Sequence, residues 1–135
     1  MARILLMEDC AVQAMMLSDW LDMDGHDTAI TTNTKDALEQ LTGLARFDLL
    51  ITDIFGPEGT RGEDGLTLMR NIRMQSAERL RTLPIISVSG VSLETSFPGK
   101  TGWLRSDQRH VHMVKPLDVG KLTSTIAEIL GDSPS

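Results

Sequence analysis

The run Asp48–Asp53, DLLITD, places Leu49, Leu50 and Ile51 side by side without polar alternation and stops on a carboxylate. A strand with one wet face alternates apolar and polar residues, whereas a strand covered on both faces reads as a continuous apolar run, so this segment is expected to be a buried parallel strand. PIISVS, opened by Pro84 and closed by Ser89, has the same character, and RILLM, Arg3–Met7, is a third run of strand length. HDTAI, after the break at Gly25, is a weaker candidate, and Val111–Val114 is a short fifth. Helical spacing fills the intervals between these runs. Ala11–Met23 carries Val12, Met15, Met16 and Leu17, and a helix capped by Asn33 or Thr34 carries Ala37, Leu38, Leu41 and Leu44. Leu66, Met69 and Ile72 space a third helix, while Asp118 can cap a last one bearing Leu122, Ile126, Ile129 and Leu130. Strand and helix alternating about five times predicts an α/β fold, a doubly wound five-stranded parallel sheet with helices on both faces.

The chain has 135 residues, 41% of them hydrophobic, enough for one sizeable core. One domain over residues 1–131 is expected, followed by a polar tail at 132–135. A net charge of -6 argues against direct nucleic-acid binding or an anionic-membrane surface, both of which require clustered Lys and Arg. The single cysteine, Cys10, cannot form an intrachain disulfide and suits a reducing compartment, where it reads as a small apolar residue. The opening MARILLMEDC is interrupted by carboxylates after Met7, so neither a secretory signal nor membrane insertion is expected. A soluble cytoplasmic protein is the resulting expectation.

In open parallel sheets ligands bind beyond the carboxyl ends of the strands. Glu8 and Asp9 follow the first strand, Asp53 ends the third, Ser89 ends the fourth and Lys115 follows the fifth. Taken singly, each has a bland reading: a solvated turn, a helix cap, a surface charge. Together they predict three carboxylates crowded at one edge, where mutual repulsion calls for a cation. Oxygen-only ligands suit Mg2+. A metal there can draw in a phosphate donor and leave one carboxylate to act as nucleophile, with Ser89 donating to a phosphoryl oxygen and Lys115 supplying fixed positive charge.

From RILLMED to the final helix the sequence resembles the response-regulator receiver domain of two-component signal transduction, in its single-domain type. The motifs that carry the resemblance are the acidic pair Glu8 and Asp9, Asp53 in LLITDIFGP, Ser89 in IISVSG and Lys115 in VKP. The resemblance implies a flavodoxin-like receiver fold and phosphorylation of Asp53 by a histidine kinase or histidine phosphotransfer protein, with a conformational switch read by a separate downstream protein. It implies a signalling protein that catalyses its own phosphorylation and dephosphorylation, rather than a turnover enzyme. It also implies that Mg2+ is held by Asp9, Asp53 and the backbone carbonyl of Phe55, with Glu8 reaching it through water, and that the Lys115–Pro116 bond is cis. Ser89 and His112 would form the switch, His112 standing where most receivers carry an aromatic ring.

Two other phosphate-handling patterns are incomplete. PGKT at Pro98–Thr101 ends like a P-loop, but Glu94 stands where its first glycine belongs. A haloacid-dehalogenase-type phosphatase needs a second acid two residues after its nucleophile, and that position is Phe55. A degenerate receiver acting only as a binding module is the remaining alternative. Departures from the receiver pattern are the glycine-rich stretch Gly56–Asp64 and the span Val91–Arg109, where Pro98, Gly99 and Gly102 predict an irregular or shortened fourth helix. Phe55 and Val91, apolar where side chains can orient attacking water, predict a long-lived phosphoryl group. His26 and His110 show no metal or phosphotransfer signature and are given no role.

Overall fold

A computed structural model describes residues 2–54, 64–90 and 109–131. Five strands, β1 (Arg3–Met7), β2 (Asp27–Thr31), β3 (Leu49–Asp53), β4 (Ile85–Ser89) and β5 (His110–Val114), form one parallel sheet in the order β2-β1-β3-β4-β5. The helices are α1 (Ala11–Met23), α2 (Thr34–Thr42), α3 (Asp64–Arg73), the single turn α4 (Glu78–Arg81) and α5 (Val119–Ile129). This is the five-stranded parallel sheet expected from the alternating pattern, in the flavodoxin-like order that the resemblance implies.

Both faces of the central strands are apolar because helices cover both. Leu5, Met7, Leu50, Ile54 and Ile85 point to the side of α2 and α3, where Ala37, Leu41, Leu68, Met69 and Ile72 meet them. Ile4, Leu6, Leu49, Ile51, Ile86 and Val88 point the other way, against Ala14 and Leu21 of α1 and Leu122 and Ile126 of α5. The strand period of two therefore sorts one apolar run into two cores. Two of the expected caps form: the Asn33 side chain accepts from Asp36 N at 2.8 Å, and Asp118 accepts from Lys121 N at 3.1 Å.

Several expectations are corrected. On α1, Val12, Met15 and Met16 are exposed, and Ala14, Leu17 and Leu21 face the sheet. That helix carries apolar residues on both sides, so spacing cannot choose between them; small Ala14 marks the side that approaches closely. Leu44 lies beyond the end of α2 and is fully exposed. The turn α4 has no counterpart in the sequence reading, since four residues are too few to show a period. β5 starts one residue earlier than expected, at His110, which pairs with Ile85. Phe55, most of the glycine-rich stretch Gly56–Asp64, nearly all of Val91–Arg109 and the tail at 132–135 lie outside the described residues.

Candidate functional site

The C-terminal ends of β1 and β3 are neighbours in the sheet, at the point where the strand order reverses. Glu8 leaves β1 there and Asp53 ends β3, both with buried side chains. With the half-buried Asp9 they bring ligand oxygens within 4.8 Å of one another. Glu8 Oε1 accepts the Cys10 backbone N–H at 3.1 Å, which folds the turn Glu8–Cys10 over the edge. Lys115 arrives from the far side of the sheet. Its backbone N–H donates to Ser89 O at 2.8 Å, prolonging the β4–β5 ladder by one rung, and its bond to Pro116 is cis. Lys115 Nζ lies 3.2 Å from Asp53 Oδ2 and 3.6 Å from Glu8 Oε2.

Burial dominates the chemistry of Glu8, pushing its pKa up to about 7; the Asp53 carboxylate adds to this, while the Cys10 N–H and Lys115 pull the other way. Burial also opposes the charge on Lys115, but the Asp53 and Glu8 carboxylates outweigh it and hold its pKa above the ordinary lysine value. The neutral form of Glu8 is thus favoured in the folded state. Stability from this difference is fully present below the ordinary pKa of 4.5 and lost as pH rises through about 7. In metal-free buffer the protein is expected to lose on the order of 2 kcal/mol between pH 5 and pH 8 from this residue. Glu8→Gln, neutral throughout, should flatten that slope and exceed the parent in urea midpoint at pH 8. Parallel slopes for the two proteins would contradict the assignment.

Two residues not singled out from the sequence help to build the site. Gln13 on α1 accepts from Lys115 Nζ at 3.1 Å, giving the lysine a third partner. Gly65, at the start of α3, donates its N–H to Ile54 O at 3.1 Å, and a Cβ on it would strike the Asp53 backbone carbonyl oxygen. A cavity of about 530 Å³ opens beside Glu8, Asp53 and Lys115, its walls including Leu17, Trp20 and Leu117.

Ser89, buried at the end of β4, and His112, on β5, are also brought together: Ser89 Oγ lies 3.1 Å from His112 Nε2. The ring is engaged on both sides, because His112 Nδ1 lies 2.7 Å from Ser87 Oγ. His110, given no role above, lies with Nε2 2.7 Å from the same Ser87 Oγ. His26 is structural, its Nδ1 accepting from Ala2 N at 3.0 Å and its Nε2 facing Asp24 Oδ2 at 3.2 Å. Among the described residues no helix is long and apolar enough to cross a membrane.

No curated protein sequence matches the chain. Solved structures do. A sensor protein from Polaromonas sp. JS666 is 26% identical over 96% of each chain, with a TM-score of 0.77. The signal receiver domain of a signal transduction histidine kinase from Syntrophus aciditrophicus is 28% identical, covering 99% of this chain and 93% of that one, with a TM-score of 0.76. The receiver domain of a sensor histidine kinase from Pseudomonas aeruginosa PAO1, with a magnesium ion coordinated in its active site cleft, is 23% identical over 96% of this chain and 98% of that one, with a TM-score of 0.77. The sequence profile of the response regulator receiver domain matches residues 4–127, from the second residue of β1 into α5. Together with the strand order and the acidic edge, that match places this chain in the response regulator receiver domain family of two-component signalling.

Proposed function

We propose that the chain accepts a phosphoryl group on Asp53 from a histidine kinase or histidine phosphotransfer protein, and that the resulting change is read by a separate protein. The observation that carries this reading is the placement of Lys115 Nζ 3.2 Å from Asp53 Oδ2 at an edge where three carboxylates converge. An Asp53 oxygen attacks phosphorus as the P–N bond of the phosphohistidine donor breaks, and the imidazole leaves with the electron pair of that bond. Lys115 holds the Asp53 carboxylate in place beforehand and afterwards pairs with the phosphoryl oxygens. Ser89 donates to one of those oxygens.

The donor set of Glu8, Asp9 and Asp53, all oxygen, fits a hard divalent cation such as Mg2+, as does the magnesium in the Pseudomonas aeruginosa relative. Bound there, the ion would neutralise charge on the transferring group. By the resemblance, the backbone carbonyl of Phe55 would also help to hold the ion. Magnesium at tenfold its Kd is expected to add about 1.4 kcal/mol, a rise of roughly 5 °C in Tm, by relieving carboxylate repulsion. Asp9→Asn should abolish the rise, and an equal rise with sodium chloride at matched ionic strength would argue against a metal site.

The test of the function is incubation with acetyl phosphate and magnesium, followed by peptide mass spectrometry. A single acyl phosphate on Asp53 is expected. An unmodified protein would favour the degenerate, binding-only receiver.

A further inference from the structure

β4 and β5 pair Ser87 with His112 and Ile85 with His110, so the side chains of His110, Ser87, His112 and Ser89 share one face of the sheet and alternate along it. They form an unbroken chain: His110 Nε2 to Ser87 Oγ at 2.7 Å, Ser87 Oγ to His112 Nδ1 at 2.7 Å, and His112 Nε2 to Ser89 Oγ at 3.1 Å. Ser87 is 0% and Ser89 1% exposed, so bulk water does not compete for these hydroxyls.

Each serine hydroxyl has one proton, and each neutral imidazole has one N–H and one bare nitrogen. When both imidazoles are neutral and Ser87 donates one of its two bonds, the chain therefore has a direction, and there are two. In one, Ser89 donates to His112 Nε2, His112 Nδ1–H donates to Ser87, and Ser87 donates to His110. In the other, His110 Nε2–H donates to Ser87, Ser87 donates to His112 Nδ1, and His112 Nε2–H donates to Ser89. Only the second leaves the Ser89 proton for another acceptor. A phosphoryl oxygen can only accept, so its bond with Ser89 dictates every later choice, through His112 and Ser87 to His110.

We propose that Ser87 and His110 are positioning residues that, through His112, orient the Ser89 hydroxyl, and that a phosphoryl group on Asp53 selects the second direction of this four-residue chain. The inference rests on the phosphoacceptor reading above. Each imidazole keeps one ring proton in both directions and each hydroxyl keeps one; the imidazoles change tautomer by exchange with solvent, so no net proton is bound or lost. That selection carries the state of Asp53 across two strands to His110, near the opposite end of the β4–β5 pair.

The experiment is ring-nitrogen NMR on 15N-histidine-labelled protein, with and without beryllofluoride and magnesium, using the bound 19F resonance to establish occupancy. On binding, His112 and His110 should both move to the Nε2–H form from a population containing Nδ1–H. In Ser87→Ala, His112 should still respond and His110 should not. In His110→Phe, which removes the acceptor for Ser87, His112 should be held as Nε2–H in both states, so the prediction does not hang on one variant folding. Unchanged tautomers with fluoride bound, a doubly protonated His112, or a His110 response that survives in Ser87→Ala would each overturn the relay. Absence of a bound 19F resonance would instead overturn the phosphoacceptor reading, and the relay with it.

Discussion

Asp53→Asn is expected to reduce phosphate incorporation from acetyl phosphate to background while leaving the fold intact. The carboxylate ends β3, buried, with Lys115 Nζ 3.2 Å from Oδ2 and the ligand oxygens of Glu8 and Asp9 close by. An amide of the same shape fills the space, but its oxygen is a poor nucleophile and a weaker ligand for a divalent cation. Lys115 is not stranded by the change, because Glu8 Oε2 at 3.6 Å and Gln13 Oε1 at 3.1 Å remain. Loss of one of three crowded carboxylates also removes repulsion, so the urea midpoint at neutral pH should not fall. Intact-mass spectrometry of parent and variant under identical donor conditions, with circular dichroism as the folding control, checks both halves. Full labelling of the Asn variant would move the phosphoacceptor elsewhere.

Gly65→Ala carries the largest expected loss of stability, about 3 kcal/mol or more. In an ordinary helix the same replacement stabilises by up to about 1 kcal/mol, so the sign of the effect is itself diagnostic. The cause is steric. The start of α3 approaches β3 so closely that a methyl group at Gly65 would strike the Asp53 carbonyl oxygen and lie 2.7 Å from Ile54 Cα and 2.9 Å from Asp53 C. All three atoms are backbone, with no flexible side chain to swing aside. Relief requires moving α3 away from β3, which breaks the Gly65 N–H to Ile54 O bond and withdraws Leu68, Met69 and Ile72 from the core. A variant that does fold should have a displaced Asp53 backbone and slower phosphorylation. A urea midpoint equal to or above that of the parent would contradict the packing argument.

Much of the candidate site was legible because chemistry and order coincide. Glu8, Asp9, Asp53, Ser89 and Lys115 each sit at the end of an apolar run, and in a parallel sheet those ends share one edge. Gln13 and Gly65 were not singled out as parts of the site, since a polar residue on a helix and a glycine in a helix's first turn acquire meaning only from what stands opposite. Ser87 is similar: inside an apolar strand it reads as a small core residue until β5 brings His110 and His112 within 2.7 Å.

The local sequence therefore determined the alternation of strand and helix, the doubly buried β3 and β4, the caps at Asn33 and Asp118, and the polar groups that close successive strands, because each of these depends on neighbours within a few residues. Tertiary structure alone decided which side of α1 is inside, how closely α3 approaches Asp53, and that two serines and two histidines over 20 residues apart form one hydrogen-bonded line. Those outcomes depend on distances between separate elements, set by the packing of helices on a sheet and by strand register, neither of which is encoded in any single stretch of chain.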